Sequence, residues 1–132
     1  MYLGDTSAWV DYLSPAPRAA GVQLRKLREK FTPVFITGIV MQEILQGVRD
    51  EATFEKYRLW LSALPLVQPI DPVATHAEAA RLYARCRWRG ITLRSAADCL
   101  IARLAVEYDL ILLHNDKDYE KIARVEPRLK LA

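Results

Sequence analysis

The chain has 132 residues, is 52% hydrophobic and 27% charged, and carries 19 lysines and arginines against 16 aspartates and glutamates, a net charge of +3. These proportions are those of a folded globular domain and exclude collagen, low-complexity disorder and a disulfide-held scaffold. Folding buries roughly two-thirds of the surface of a chain this size, enough for a core without a structural metal. No run of about 18 apolar residues is present to cross a membrane.

The opening residues MYLGDTSAWVDYL hold acids and no basic stretch, so they read as the start of the fold and not as a signal peptide. Residues 1–4 are a short apolar segment, read as a first strand. Asp5-Thr6-Ser7 offers caps for a helix carrying Trp9, Val10 and Leu13, which stops before Pro15. Pro17 to Lys30 reads as a basic amphipathic helix with Val22, Leu24 and Leu27 inward. Val34–Thr37 is a β-type run. Residues 38–47 are helical by spacing, with Ile39, Val40, Glu43 and Gly47 on one face, and residues 50–64 form another helix with Phe54, Tyr57, Leu61 and Leu64 inward.

Pro65 ends that helix, and residues 66–68 are a candidate strand. Pro72 to Arg89 is helical, with Val73, Ala77, Ala80 and Tyr83 inward and Gly90 as its stop. Ser95 opens an apolar helix, AADCLIARLAVEY. Residues 110–113 are a continuous apolar run, as in a buried parallel strand. HNDKD is a loop, YEKIARV a short helix, and residues 129–131 a last edge strand. Short apolar strands alternating with helices predict an α/β fold with a central parallel twisted β-sheet flanked by α-helices.

Two basic clusters stand out. Arg81, Arg85, Arg87, Arg89 and Arg94 fall in a stretch without acids, and Arg18, Arg25, Lys26, Arg28 and Lys30 form the second. They fit either solvated helix faces or a footprint for phosphates. Cys86 and Cys99 lie in no CxxC pair and read as free thiols of a reducing cytoplasm. His76 and His114 are too far apart to suggest zinc.

The acids carry more information. Asp5 follows a strand end, where open parallel sheets bind ligands, although it could equally cap the next helix. Glu43 lies on an apolar helix face, where a carboxylate is costly unless paired with a cation or set at the edge of the stripe. Asp98 fits a capping box with Ser95 as N-cap. Asp116 and Asp118 follow the strand at residues 110–113, and Asp118 could cap the helix after it. Taken together, two acid groups at strand ends and two acids on helix faces could converge. Carboxylates so gathered repel one another unless a cation sits among them. Oxygen ligands without thiolate or imidazole select Mg²⁺ or Mn²⁺, and such a site suits phosphodiester hydrolysis.

At this point the chain resembles the PIN-domain proteins, and within them the VapC-type toxins of bacterial toxin–antitoxin pairs. The resemblance runs through Asp5-Thr6-Ser7-Ala8-Trp9, residues 42–47 (QEILQG), residues 97–102 (ADCLIA) and Asn115-Asp116-Lys117-Asp118-Tyr119. Each motif alone is weak; all four in this order are specific. The resemblance implies a single PIN-like nuclease domain over residues 1–132, acting as a Mg²⁺- or Mn²⁺-dependent endoribonuclease on cellular RNA in the cytoplasm. Its acidic quartet maps onto Asp5, Glu43, Asp98 and Asp116, with Asp118 as an additional or alternative metal ligand. Thr6 and Ser7 match its hydroxyl positions near water or phosphate. His114 stands where the family often has Thr or Ser. Arg94 is a candidate for holding the RNA backbone. The resemblance further implies a homodimer and a cognate VapB-type antitoxin. Two other roles remain open on the residues alone: an RNA-binding module whose acids are only caps and core partners, and a partner-binding protein whose groove is built from Trp9, Tyr12, Phe54, Tyr57, Trp60 and Trp88.

Overall fold

The computed structural model describes residues 1–132, which form five strands and seven helices. In chain order these are β1 (Tyr2–Gly4), α1 (Thr6–Leu13), α2 (Ala19–Glu29), β2 (Val34–Thr37), α3 (Gly38–Gln46) and α4 (Glu51–Ser62). Then follow β3 (Leu66–Val67), α5 (Pro72–Trp88), α6 (Ala97–Glu107), β4 (Ile111–Leu113), α7 (Asp118–Val125) and β5 (Lys130–Leu131). Every strand pair is parallel, and the order across the sheet is β3-β2-β1-β4-β5. The α/β fold with a central parallel sheet is therefore present as expected.

The order explains where the helices go. From β1 the chain steps to β2 and on to β3 in one direction; from β4 it steps to β5 in the other. Right-handed crossovers then put α1–α4 on one face of the sheet and α5–α7 on the other. The packing agrees: α1 lies against α2 and α3, and α5, α6 and α7 lie against one another. Both faces of β1 and β4 are covered, so Leu3, Leu112 and Leu113 are almost entirely buried. Trp9, Leu24 and Leu61 fill the core on one side, and Ile101 and Ile122 on the other. No helix is long and apolar enough to cross a membrane.

Helix starts are set by short polar side chains. Thr37 accepts from the Val40 N–H at 3.2 Å, Asp50 from Thr53 at 2.8 Å, and Asp71 from Val73 at 3.0 Å with Pro72 in the first turn. The start of α2 is capped from outside: the buried Asp11 of α1 accepts from the backbone of Arg18 at 2.9 Å and of Gly21 at 2.6 Å. Gly90, at φ +76°, ends α5 in the left-handed region, where glycine is favoured.

Three local expectations are corrected. α5 turns Thr75, Ala79, Leu82 and Cys86 inward and leaves Val73, Ala77 and Ala80 exposed, with Tyr83 half-buried. The helix has two apolar stripes, and its packing against α6 and α7 selects the one that carries Leu82 and Cys86. Val22 faces solvent because α2 meets α1 through Gly21, where a Cβ would come within 2.8 Å of the Asp11 backbone. Ser95 does not form a capping box with Asp98. Its hydroxyl accepts from the Ala97 N–H at 3.2 Å, one residue short, and the Asp98 side chain is left free to face elsewhere.

Candidate active site

The direction in which strands are added across the sheet reverses between β1 and β4, which are parallel neighbours in its centre. Ligands of open α/β sheets bind outside the strand carboxyl ends at such a switch point. Asp5 directly follows β1, and His114, Asn115 and Asp116 directly follow β4. The N-terminal turn of α6 brings Asp98 and the middle of α3 brings Glu43 to the same place. An open pocket of about 330 Å³ results, lined by Asp5, Glu43, Asp98 and Asp116 together with Thr6, Ser7 and Arg94. Of the residues singled out in the sequence, all but Asp118 and His114 line it.

The pocket is built from the strand ends outward. Asp5 is buried, and each of its oxygens has a partner. Its Oδ2 accepts from the Ser7 backbone at 3.0 Å and the Ser7 hydroxyl at 2.6 Å; its Oδ1 accepts from the Tyr119 phenol at 2.6 Å. Capping α1 and facing the pocket are thus compatible roles of one side chain. The Ser7 hydroxyl also accepts from the Asn115 N–H at 2.9 Å, which ties the end of β1 to the end of β4. Thr6 donates to Glu43 Oε1 at 3.2 Å and so links α1 to α3.

Asp98 has the most perturbed carboxyl. Burial pushes its pKa up to about 7, aided by the charges of Asp5, Asp116 and Glu43 and opposed by the hydrogen bond from Tyr119 at 3.3 Å. The Glu43 carboxyl is also raised, by burial first and by the charge of Asp5, against the Thr6 hydrogen bond. In both, burial of the carboxylate is the main cause and the neighbouring carboxylates add to it.

Arg94 supplies the one basic side chain on the pocket wall. Its Nη2 is 2.5 Å from Asp116 Oδ1 and its Nε 3.4 Å from Asp118 Oδ2. Asp118 is 2% exposed and faces away from the opening. Its Oδ2 accepts from the Arg94 backbone N–H at 3.0 Å, and its Oδ1 lies 3.3 Å from Lys121 Nζ. These contacts, the Arg94 backbone hydrogen bond foremost, hold its carboxyl below the usual range. One oxygen each of Asp98, Asp116 and Asp118 lie within 4.8 Å of one another, but the Asp118 oxygens are already engaged in bracing the loop before α6. His114 also lies outside the pocket wall. Its Nδ1 accepts from the Asp116 N–H at 3.2 Å, and its ring tilts against Tyr119 at 5.2 Å, so it shapes the loop that carries Asp116.

The sequence reading did not single out Tyr119 as a site residue. It is fully buried, and its hydroxyl stands between Asp5 and Asp98. An aromatic residue after an acidic loop signals core, and only the tertiary fold shows where its hydroxyl goes. Nor does the arginine cluster gather at the site. Arg81 and Arg85 line a small polar cleft with Arg103 and Arg128, while Arg87 lines a groove between α5 and α6. The aromatic residues also divide. Trp9 is core, Tyr12 and Trp60 stack at 6.1 Å beneath the Arg28 guanidinium, and Trp88 is exposed on α5. A groove of about 600 Å³ lined by Val10, Leu13, Ile44, Val48 and Tyr57 adjoins the acidic pocket and shares Val10 and Glu43 with it.

Fold and site together define a class: a parallel α/β protein with an acidic, all-oxygen pocket at its switch point. The chain belongs to the PIN-domain family, whose model matches residues 2–125. It is similar to VapC ribonuclease Mb1587 of Mycobacterium bovis, 36% identical over 95% of this chain and 93% of that protein. Ribonuclease VapC51 of Mycobacterium tuberculosis is 34% identical over 94% of this chain and 86% of its own length. Among solved structures, VapBC2 from Rickettsia felis bound to a promoter DNA fragment matches with a TM-score of 0.75 at 20% identity, covering 99% of this chain and 96% of the other. VapBC-1 from nontypeable Haemophilus influenzae gives a TM-score of 0.73 at 15% identity with the same coverage. At these identities the structures confirm the fold.

Proposed function

We propose that this chain is a divalent-metal-dependent endoribonuclease, a single nuclease unit over residues 1–132 that cuts cellular RNA as the toxin of a toxin–antitoxin pair. The observation that carries this reading is the convergence of Asp5, Glu43, Asp98 and Asp116, from four separate parts of the chain, on one open pocket. The 36% identity to a VapC ribonuclease over nearly the whole chain supports the choice of RNA as substrate and of a growth-arresting role.

The donor set fits Mg²⁺ or Mn²⁺. It is all oxygen, with no thiolate or imidazole on the pocket wall. A cation held among these carboxylates would favour the ionised forms of Asp98 and Glu43, which burial and their neighbours disfavour. When bound, such an ion supplies an activated water and neutralises charge on the phosphate. Asp5, fixed by Ser7 and Tyr119, is the most rigid of the four ligands; Glu43, tethered by Thr6, closes the site from α3. Asp118 and His114 hold the loop that presents Asp116. Arg94 at the rim binds the RNA backbone.

The apolar groove that opens onto the pocket through Val10 and Glu43 receives a segment of a cognate VapB-type antitoxin. Two copies of the chain form a homodimer. The protein works in the cytoplasm, where its RNA substrate is.

The test is cleavage of total RNA by the purified protein with Mn²⁺ or Mg²⁺ and after EDTA. Cleavage should require the metal and fall at least about a hundredfold in Asp5→Asn and Asp98→Asn, the scale of losing metal-based charge stabilisation. Cleavage that survives chelation, or survives both substitutions together, refutes the reading. RNA binding without any cleavage would instead favour a non-catalytic module.

A further inference from the structure

The geometry points to Arg94 as a resident cation of the acidic pocket, one that yields Asp116 to an incoming divalent ion and is thereby released to hold RNA. This inference rests on the metal-dependent ribonuclease reading and adds to it a built-in coupling between metal loading and RNA binding.

Three observations carry it. Arg94 is the sole basic residue on the pocket wall, and its guanidinium is seated on Asp116 at 2.5 Å. Asp116 Oδ1 accepts from the Asp118 N–H at 3.0 Å as well, so both lone pairs of that oxygen are taken while Arg94 stays. A metal that takes this oxygen competes for it with the guanidinium, the more exposed of its two donors.

Second, the arginine is pinned at one end and loose at the other. Its backbone N–H donates to the buried Asp118 at 3.0 Å, and the preceding Leu93 is core. Its side chain is 74% exposed, whereas that of Asp116 is 21% exposed. Its other contact, Nε to Asp118 Oδ2 at 3.4 Å, falls on an oxygen that the Arg94 backbone N–H already holds, so the guanidinium can swing about a fixed Cα.

Third, the energies permit the exchange. An ion pair with so exposed a partner is weak, because water screens it and holding a long side chain in one place costs entropy. A divalent ion shared by several carboxylates outweighs it easily. The freed guanidinium then stands at the rim of the pocket, with the fork of donors that suits a phosphate. By linkage, whatever metal does to RNA affinity, RNA does to metal affinity.

The test uses the full chain stripped of metal. Mn²⁺ binding is followed by electron paramagnetic resonance of the free ion, in wild type, Arg94→Ala, Arg94→Gln and Lys121→Gln. Lys121 pairs with Asp118 and not with Asp116, so Lys121→Gln removes a nearby positive charge without freeing the Asp116 oxygen. Both Arg94 variants should bind Mn²⁺ roughly twofold to fivefold more tightly than wild type, and Lys121→Gln should change little. Binding of a 2′-O-methyl RNA oligonucleotide, which resists cleavage, should strengthen with Mn²⁺ in wild type by more than in either Arg94 variant. Unchanged or weaker Mn²⁺ affinity in the Arg94 variants overturns the inference, as does an equal gain in Lys121→Gln. If wild type itself takes up no Mn²⁺, the metal-dependent reading falls first and this inference with it.

Discussion

The Tyr119 hydroxyl lies 2.6 Å from Asp5 Oδ1 and 3.3 Å from Asp98 Oδ1, so one buried phenol donor sits between two carboxylates from distant parts of the chain. It has one proton to give, and the shorter bond goes to Asp5. Burial and the charges of Asp5 and Asp98 push the phenol pKa well above its ordinary value, so it stays a donor. Tyr119→Phe keeps the ring and removes only this donor. Unfolding of the metal-free variant in urea near pH 8 should show a loss of about 1.5–3 kcal/mol, the range for a hydrogen bond to a charged group. RNA cleavage should fall as well, because Asp5 loses one of the contacts that fix it. Wild-type stability in the variant would mean that the phenol does not restrain these carboxylates.

Asp98 makes the metal-free protein sensitive to pH. Its carboxyl titrates near 7 in the folded chain but near 4, as an ordinary aspartate, once unfolded. Between those values the folded state binds more protons than the unfolded one, so stability falls as pH rises. With EDTA present, the melting temperature should drop between about pH 5 and about pH 8. Saturating Mn²⁺ should remove most of that drop by replacing the proton with a cation. Asp98→Asn carries no charge there, and its EDTA melting curve should be flatter with pH and higher than wild type near pH 8. A wild-type curve that rises over this range contradicts the assignment.

The sequence made the fold legible because local and long-range signals agreed. The runs at residues 34–37 and 110–113 have nothing to offer but burial, and both became strands within a residue of the expected ends. The place of Asp5, Asp98 and Asp116 was legible for a similar reason, since they follow strand ends or open a helix at the switch point, whereas Glu43, in the middle of α3, stood out only as an acid on an apolar face. What stayed hidden needed tertiary contact. α5 carries two apolar stripes, and only its packing on α6 decides between them. Tyr119 carries no sequence signal for the site, because only the tertiary fold sets its hydroxyl between Asp5 and Asp98. Ser95 and Asp98 have the spacing of a capping box, but Asp118 holds the Arg94 backbone and the helix starts beyond Ser95.

Gly4 is the last residue of β1 and precedes Asp5. A Cβ there would lie 2.4 Å from Trp9 Nε1, in a buried indole with no room to retreat. Gly4→Ala must move either Trp9 or the end of β1, and the latter carries Asp5 out of register with Asp98. The variant should lose about 1–3 kcal/mol, the usual cost of overpacking a core. It should also bind Mn²⁺ more weakly at temperatures where it is fully folded. Calorimetry and Mn²⁺ titration on one sample would separate the two effects. Intact stability and intact metal affinity together would show that the indole yields freely.

Asp11 offers a control that touches structure and leaves the chemistry alone. It is buried, lies on α1 and serves the start of α2 through the Arg18 and Gly21 N–H groups. It is absent from the wall of the acidic pocket. Asp11→Ala strands both donors in a closely packed contact, where the Gly21 backbone leaves little room for water. The expected cost is about 1–2 kcal/mol, the upper part of the range for a lost helix cap. Asp11→Asn keeps an acceptor and should cost less. Cleavage per folded molecule should stay near wild type in both, measured well below their melting temperatures. A specific loss of cleavage in Asp11→Asn would mean that the α1–α2 contact controls the pocket through Thr6 and Ser7, which α1 carries at its other end.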